Sequence, residues 1–253
     1  MGITEKMKNA ALNAAIQQVL SYLEKDPETN IPKLMDLVDK LAPEDWYSSQ
    51  RAAFRRTIDR KDNWYQLIMK VYELDPEVRK TFFRNFILNA SLLGSATQNE
   101  TAEREGCNVP WAILLDPTSA CNMHCTGCWA AEYGNKLNLT LEELDSIVAQ
   151  GKELGTYMYI FTGGEPLVRK QDVIALCEKH SDCEFLSFTN GTLIDEDFCR
   201  EMLRVKNFVP ALSLEGFEEA NDGRRGPVHL VLPLHAGGAG RGARPAAHPP
   251  AAH

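Results

Sequence analysis

The sequence lacks features that mark several common classes of protein. None of its apolar runs approaches the roughly 18 residues that a membrane-spanning helix needs. The amino terminus, which carries Glu5, Lys6 and Lys8, has no apolar core of a secretory signal. Positive charge is not in excess either: the formal net charge is -8, which argues against a nucleic-acid partner. We therefore expect a cytoplasmic protein that binds neither membrane nor nucleic acid.

The chain holds 7 cysteines, and three of them stand close together in a short segment. In a reducing compartment, clustered cysteines favour metal binding over disulfides. Cys121, Cys125 and Cys128 have C-x3-C-x2-C spacing, and thiolates are strong, soft donors for iron and zinc. No fourth cysteine follows at ferredoxin-like spacing, so a cubane iron–sulfur cluster held here would keep one iron open. An open position is typical of a reactive metal site rather than a structural one.

The spacing alone leaves two other interpretations of these cysteines open. The loop could form a zinc knuckle, with Cys107 or His124 as the fourth ligand. The thiols could also be ordinary core side chains, because free cysteine is commonly buried. The remaining cysteines, Cys177, Cys183 and Cys199, match no cluster spacing, and we expect them to be ordinary core or surface thiols.

Helical periodicity dominates the first part of the chain. Apolar residues recur at helical spacing in four segments: 12–23, 34–41, 64–71 and 78–90. The pattern predicts an all-helical region over residues 1–106, either a bundle or a cap that packs on the rest of the chain. No residue pattern there points to catalysis.

From residue 111 onward the pattern changes to short apolar strands that alternate with amphipathic helices. Four strands are predicted, over 111–115, 157–161, 184–188 and 208–214. Such alternation predicts an α/β fold with a parallel sheet, and parallel α/β barrels bind ligands at the carboxyl ends of their strands. The unusual loops all follow strands: the cysteine loop, Gly163-Gly164-Glu165-Pro166, Thr189-Asn190-Gly191 and Ser213-Leu214-Glu215-Gly216. We therefore expect these four loops to lie together at the carboxyl ends of the strands.

Residues 227–253 contain no aspartate or glutamate. Alanine, glycine, proline and histidine supply 20 of these 27 residues, a composition that predicts disorder because it cannot bury a core. We expect a frame shift or truncation after Gly226 that removed the authentic continuation. Three domains are thus predicted: a helical region over 1–106, an α/β core over 107–226 and a low-complexity tail over 227–253.

Taken together, the cysteine loop, the Gly163-Gly164-Glu165-Pro166 segment and the alternating pattern resemble the radical S-adenosylmethionine (SAM) superfamily. The resemblance covers about residues 110–226. It implies a partial (β/α) barrel, with about four βα units present after the helical region. It also implies that Cys121, Cys125 and Cys128 bind a [4Fe–4S] cluster, whose open iron is chelated by the amino and carboxylate groups of SAM.

The resemblance further implies a SAM site built from loop residues. Gly163, Gly164 and Glu165, followed by Pro166, match the motif that receives the SAM ammonium. Glycines let backbone carbonyls come close, and a carboxylate complements a cation. The other candidates are assigned by position: Ser213 and Glu215 to the ribose, Asn190 to the methionyl part and Arg225 to the SAM carboxylate. For the last two, the alternative interpretations are a turn asparagine and a surface arginine.

One position departs from the family pattern. The family usually has an aromatic residue just before the third cysteine, to lie along the adenine. This chain has Gly127 there, and Trp129 follows the cysteine instead. The position therefore offers the adenine a backbone contact rather than a side-chain contact.

The activity that the resemblance implies is oxidoreductase-like radical chemistry on an unknown substrate, a peptide or a small molecule. A reducing partner such as flavodoxin or ferredoxin supplies an electron, SAM is cleaved, and the resulting 5′-deoxyadenosyl radical takes a hydrogen atom from the substrate. The alternatives are a non-catalytic iron–sulfur or zinc-binding module and an inactive fragment of a radical SAM enzyme.

Overall fold

The structure, a computed structural model, describes residues 3–134 and 136–226. The low-complexity segment predicted over 227–253 lies outside the described residues. The helices that precede the sheet are α1 Ile3–Lys25, α2 Pro27–Leu41, α3 Ser48–Arg60, α4 Asn63–Val71, α5 Pro76–Phe82, a π-helix Phe83–Leu93 and α6 Gly94–Glu105. The alternating part consists of β1 Ala112–Thr118, α7 Leu141–Glu153, β2 Met158–Gly163, α8 Lys170–Lys179, β3 Glu184–Thr189, α9 Glu196–Val205, β4 Phe208–Leu212 and α10 Glu218–Arg225.

Aspartates start several of the early helices by accepting backbone hydrogen bonds. The Asp26 carboxylate accepts from the Thr29 amide at 3.2 Å, and Pro27 occupies the first turn of α2. Asp62 and Asp75 cap α4 and α5 in the same way. A side-chain acceptor satisfies amide groups that have no partner inside the helix, which fixes where each helix begins.

The π-helix and α6 pack against the loops that lead into the strands. The Asn85 side chain donates to the carbonyl oxygens of Cys183 at 2.8 Å and Ser181 at 3.1 Å, just before β3. The Gln98 side chain donates to the Gly155 oxygen at 2.8 Å, just before β2. The helical region therefore caps the amino-terminal ends of the strands, at the opposite edge from the cysteine loop.

The sheet has strand order β1-β2-β3-β4, and every neighbouring pair is parallel. One face is covered by α7, α8 and α9, and buries the aromatic side chains of Tyr159, Phe161 and Phe185 in stacked contacts. Burying such rings dominates the stability of this core. The prediction of an α/β fold with about four βα units is confirmed, as is the helical region that precedes it.

On the other face of the sheet, apolar side chains are partly open to solvent. Leu114, Ile160, Leu186 and Val209 stand in one register across the four strands. Leu114 is 59% exposed, and Phe188 on the same face is 49% exposed. Parallel sheets are usually covered on both faces. The exposed apolar face of this sheet is therefore available to line a ligand site.

Two elements could not be predicted from the sequence. The segment 218–225 carries no large apolar residue, so its periodicity could not predict α10. The segment 83–93 has an apolar pattern that fits any helix, so the π geometry was not foreseen. No helix within the described part of the chain is long and apolar enough to cross a membrane.

Candidate iron–sulfur and SAM site

The cysteine loop follows β1 and ends in a tight turn. The Cys128 amide donates to the Cys125 oxygen at 3.2 Å, and Gly127 between them has φ +71°. A positive φ at the third residue is the mark of a type II turn, a conformation that glycine adopts without strain. The turn therefore gives a physical reason for Gly127 where the family pattern has an aromatic residue.

All three cysteines of the loop are partly buried. Burial raises the pKa of the Cys121 thiol, and the charges of Glu165, Cys125 and Cys128 act in the same direction. A hydrogen bond from the Met123 backbone opposes this shift. The thiolate that a metal needs is thus disfavoured until a cation supplies compensating charge, as iron does.

The chemistry of the donor set, three thiols on one loop, is that of a cubane iron–sulfur site. Among residues 3–134 and 136–226, no three His, Cys, Asp or Glu side chains converge tightly enough to hold one metal ion. A cubane cluster does not need such convergence, because each iron takes its own thiolate around a larger core. Three soft donors on one loop therefore fit a [4Fe–4S] group.

The glycine pair at the end of β2 lies directly against the start of the cysteine loop. The Gly164 amide donates to the Thr118 oxygen at 3.0 Å, and the Glu165 amide donates to the Ala120 oxygen at 2.8 Å. A Cβ on Gly164 would lie 2.2 Å from the Ala120 oxygen. Only glycine permits this approach, so this segment anchors the loop at its first turn.

Glu165 is buried, with 2% exposure, and its carboxylate faces protein donors. Oε1 accepts hydrogen bonds from the Leu167 amide at 3.0 Å and the Thr189 hydroxyl at 2.7 Å. Oε2 accepts from the Asn190 amide at 2.8 Å. A carboxylate has about four acceptor positions, so three are filled. Its visible role is to join the ends of β2 and β3, a role that its sequence motif did not predict.

Asn190 connects β3 to the cysteine loop. Its Nδ2 donates to Oδ1 of Asn122 at 2.9 Å, and its Oδ1 accepts from the Thr192 amide at 2.9 Å. Asn122 in turn donates to the Thr192 hydroxyl at 2.7 Å. Asn122 directly follows Cys121, so this trio holds the loop at a second point. Neither Asn122 nor Thr192 was predicted from the sequence.

The residues after β4 form a charged group of their own. Glu215 accepts hydrogen bonds from both Arg225 and Arg224, with the Arg225 Nε 3.1 Å from Oε1. The hydrogen bonds of Arg225 and then Arg224 lower the pKa of Glu215. Arg225, expected to pair with the SAM carboxylate, is therefore paired with Glu215. Ser213 continues the β3–β4 pairing, because its amide donates to the Thr189 oxygen at 2.9 Å.

A third contact reaches the tip of the cysteine loop from α10. The Thr126 amide donates to the Arg224 carbonyl oxygen at 2.9 Å, and the Arg224 Nε donates back to the Thr126 oxygen at 3.2 Å. The loop is thus held at its start by β2, near Cys121 by β3 and at its tip by α10.

A cavity of about 670 Å³ opens beside the glycine pair, along β1. Its lining includes Leu114, Asp116, Trp129, Tyr133 and Gly164. The two aromatic rings meet edge to face, with centroids 5.8 Å apart, and both are more than half exposed. Burial raises the pKa of Asp116. The cavity has the size, the apolar walls and the few polar groups of a small-ligand site.

Comparison with known proteins also points to the radical SAM superfamily. Residues 115–235 match the sequence model of the radical SAM superfamily. The chain is 30% identical over 119 residues to Fe-coproporphyrin III synthase of Methanosarcina barkeri, covering 45% of this chain and 29% of that protein. It is 39% identical over 133 residues to GTP 3′,8-cyclase of Peptoclostridium acidaminophilum, covering 47% and 40%. The chain thus spans well under half the length of these relatives.

Solved structures with a similar arrangement include Streptococcus suis SuiB bound to S-adenosylmethionine, at 20% identity and a TM-score of 0.44. That alignment covers 60% of this chain and 40% of SuiB. Native anSMEcpe with bound AdoMet has 28% identity and a TM-score of 0.38, covering 45% of this chain and 35% of that one. The family match includes the cysteine loop and the glycine pair. Residues 115–235 thus match the radical SAM superfamily, a family of enzymes whose cofactors are a [4Fe–4S] cluster and SAM.

Proposed function

We propose that Cys121, Cys125 and Cys128 bind a [4Fe–4S] cluster beside a SAM site, and that the enzyme abstracts a hydrogen atom from its substrate. When bound, the cluster supplies the electron that cleaves SAM into methionine and a 5′-deoxyadenosyl radical. The observation that carries the proposal is a three-cysteine loop fixed at three points against the carboxyl ends of β2, β3 and the helix after β4.

The segment Gly163–Pro166 contributes backbone to the proposed SAM site. Backbone carbonyls near the two glycines can approach the SAM ammonium because no Cβ stands in the way. The Glu165 carboxylate complements a cation, and its fourth acceptor position is left for the SAM ammonium. Pro166 opens a 3₁₀ turn that continues to Arg169 and fixes the direction in which the chain leaves the site.

Two side chains at the next strand ends are proposed to contact the rest of SAM. Ser213 follows β4, and its hydroxyl is a candidate for the ribose. Asn190 follows β3 and lies beside the cysteine loop, which places it near the methionyl part. Glu215, the other ribose candidate, is already engaged by two arginines and suits a different role.

The substrate is proposed to enter the cavity that borders β1. Exposed rings of Trp129 and Tyr133 provide apolar walls near the glycine pair, and the open sheet face continues from there through Leu114. Such walls suit the apolar part of a substrate. The proposal includes a peptide or small-molecule substrate, a flavodoxin- or ferredoxin-like reductant and a cytoplasmic location.

Anaerobic reconstitution followed by reduction tests this function. We expect a visible cluster absorption band that SAM perturbs, and release of 5′-deoxyadenosine in the presence of a chemical reductant. Cys199→Ala, a change at a partly buried thiol on α9, is the control and should behave as the parent. Stoichiometric zinc with no response to SAM would instead support a non-catalytic metal module, and a cluster without 5′-deoxyadenosine would indicate an inactive fragment.

A further inference from the structure

The helix α10 has little apolar packing to hold it in place. Its sequence, Glu218–Arg225, contains no large apolar side chain, and the preceding Phe217 is 94% exposed. An isolated helix of eight residues is not stable in water. The position of α10 therefore depends on polar contacts.

Those polar contacts form one continuous path from β4 to the cysteine loop. Glu215, just after β4, binds the guanidinium groups of Arg224 and Arg225 at the end of α10. Arg224 then makes two hydrogen bonds with the Thr126 backbone, one from its side chain and one to its carbonyl. In the middle of α10, buried Asn221 accepts from the Glu215 amide at 3.4 Å.

We propose that Glu215, Arg224 and Thr126 form a brace that sets the geometry of the turn between Cys125 and Cys128. We call this set the α10 brace. Glu215 is then a positioning residue that acts through Arg224, and it is not a ligand of the SAM ribose. The inference rests on the proposed function of the loop as the cluster ligand.

The brace acts where the loop is most sensitive to displacement. Thr126 and Gly127 are the two central residues of the turn that separates the second and third cysteines. A shift of this turn changes the distance between two of the three sulfur donors. Partners that orient metal ligands in this way typically alter metal affinity by about 10- to 100-fold.

Amide hydrogen exchange at Thr126 tests the brace without any bound cluster. In the parent chain, the Thr126 amide is expected to be protected because it donates to Arg224. Arg224→Gln and Glu215→Gln should each speed exchange at Thr126 by about fivefold, because each removes a side-chain contact that holds the Arg224 carbonyl beside this amide. Arg204→Gln is the matched control, since Arg204 forms exposed ion pairs on α9 and should leave this amide unchanged. Unchanged exchange in both brace variants would overturn the proposal.

The reconstituted protein gives a second, independent readout. Both brace variants should lose iron to a chelator about 10-fold faster than the parent, and the double variant should lose it no faster than either single one. If Glu215→Gln weakens SAM binding while Arg224→Gln changes neither iron retention nor exchange, Glu215 is the ribose ligand and the brace is wrong. A parent chain that takes up no cluster contradicts the proposed function, whereas the brace is still judged by the exchange at Thr126.

Discussion

The two ends of the sheet each bury a glutamate, but the surroundings of the two carboxyl groups differ. Glu165, at the carboxyl ends of the strands, is 2% exposed and accepts three hydrogen bonds. Glu184, at the amino end of β3, is 1% exposed, and neither of its oxygens accepts a hydrogen bond from any residue that the structure describes. Burial is the same at both ends, but at Glu165 three hydrogen-bond donors compensate for it.

Glu184 and Glu165 therefore have different roles at the amino and carboxyl ends of the strands. Burial raises the pKa of Glu184 to about 8, although Asn85 and Arg84 lie near enough to oppose the shift. A neutral carboxyl suits this buried position between the sheet and the helical cap. A carboxylate fixed by three donors suits the other end, where it ties the strands beneath the cysteine loop. Substitutions at the two ends should therefore differ in both size and pH dependence.

Replacement of Glu165 should be the most damaging change. Glu165→Ala leaves the Thr189 hydroxyl and the amides of Leu167 and Asn190 without their acceptor inside the fold. We expect a loss of about 3–5 kcal/mol in the free energy of unfolding, measured by urea denaturation. Glu178→Ala, at an exposed ion pair on α8, is the control and should cost less than about 1 kcal/mol. A small effect for Glu165→Ala would remove the distinction between the two glutamates.

Replacement of Glu184 should instead stabilise the protein at neutral and higher pH. The folded pKa of about 8 exceeds the ordinary glutamate value of 4.5, so the folded state holds an extra proton between these values. The contribution of Glu184 to stability is therefore complete below about pH 4.5 and is lost as the pH rises toward 8. Glu184→Gln should raise the free energy of unfolding by about 4 kcal/mol at pH 8 and leave it nearly unchanged at pH 4.5. Equal effects at both pH values would show that the residue does not titrate in this range.

Asn85 and Asn122 both hold loops in place, but substitutions at these two residues should affect different properties: stability at Asn85 and iron retention at Asn122. Asn85 is fully buried and bridges two carbonyl oxygens, so Asn85→Ala should cost about 2 kcal/mol of stability. Asn122 is exposed, so Asn122→Ala should cost less than about 1 kcal/mol but should speed the loss of iron from the reconstituted protein. Denaturation and chelator assays on both variants check the pair. Equal iron retention in the two would contradict the role of Asn122 in holding the cysteine loop.

The sequence was sufficient for features that are local or periodic. The cysteine spacing, the glycine pair and the strand–helix alternation each lie within a short segment, and the fold class follows from them. The contacts that fix the loop were not predictable in this way. Asn190 meets Asn122 across 68 positions, and Arg224 meets Thr126 across 98. Only the folded chain brings such residues together, because polar side chains carry no periodic signal of their partners.

The protein partners of two candidate residues could not be predicted from residue type alone. The Glu165 carboxylate accepts hydrogen bonds from three protein donors, while its contact with the SAM ammonium stays a prediction. Arg225 was expected to be free for a carboxylate ligand, and it is paired with Glu215. The domain boundaries at 106 and 226 stay predictions.

Iron and sulfide content of the Cys125→Ala variant, purified without oxygen beside the parent, tests the central claim most directly. The parent is expected to carry about four irons and four sulfides per chain, whereas the variant should carry far fewer, because one of three thiolate ligands is gone. Equal iron and sulfide in the two proteins would contradict a cluster bound by Cys121, Cys125 and Cys128.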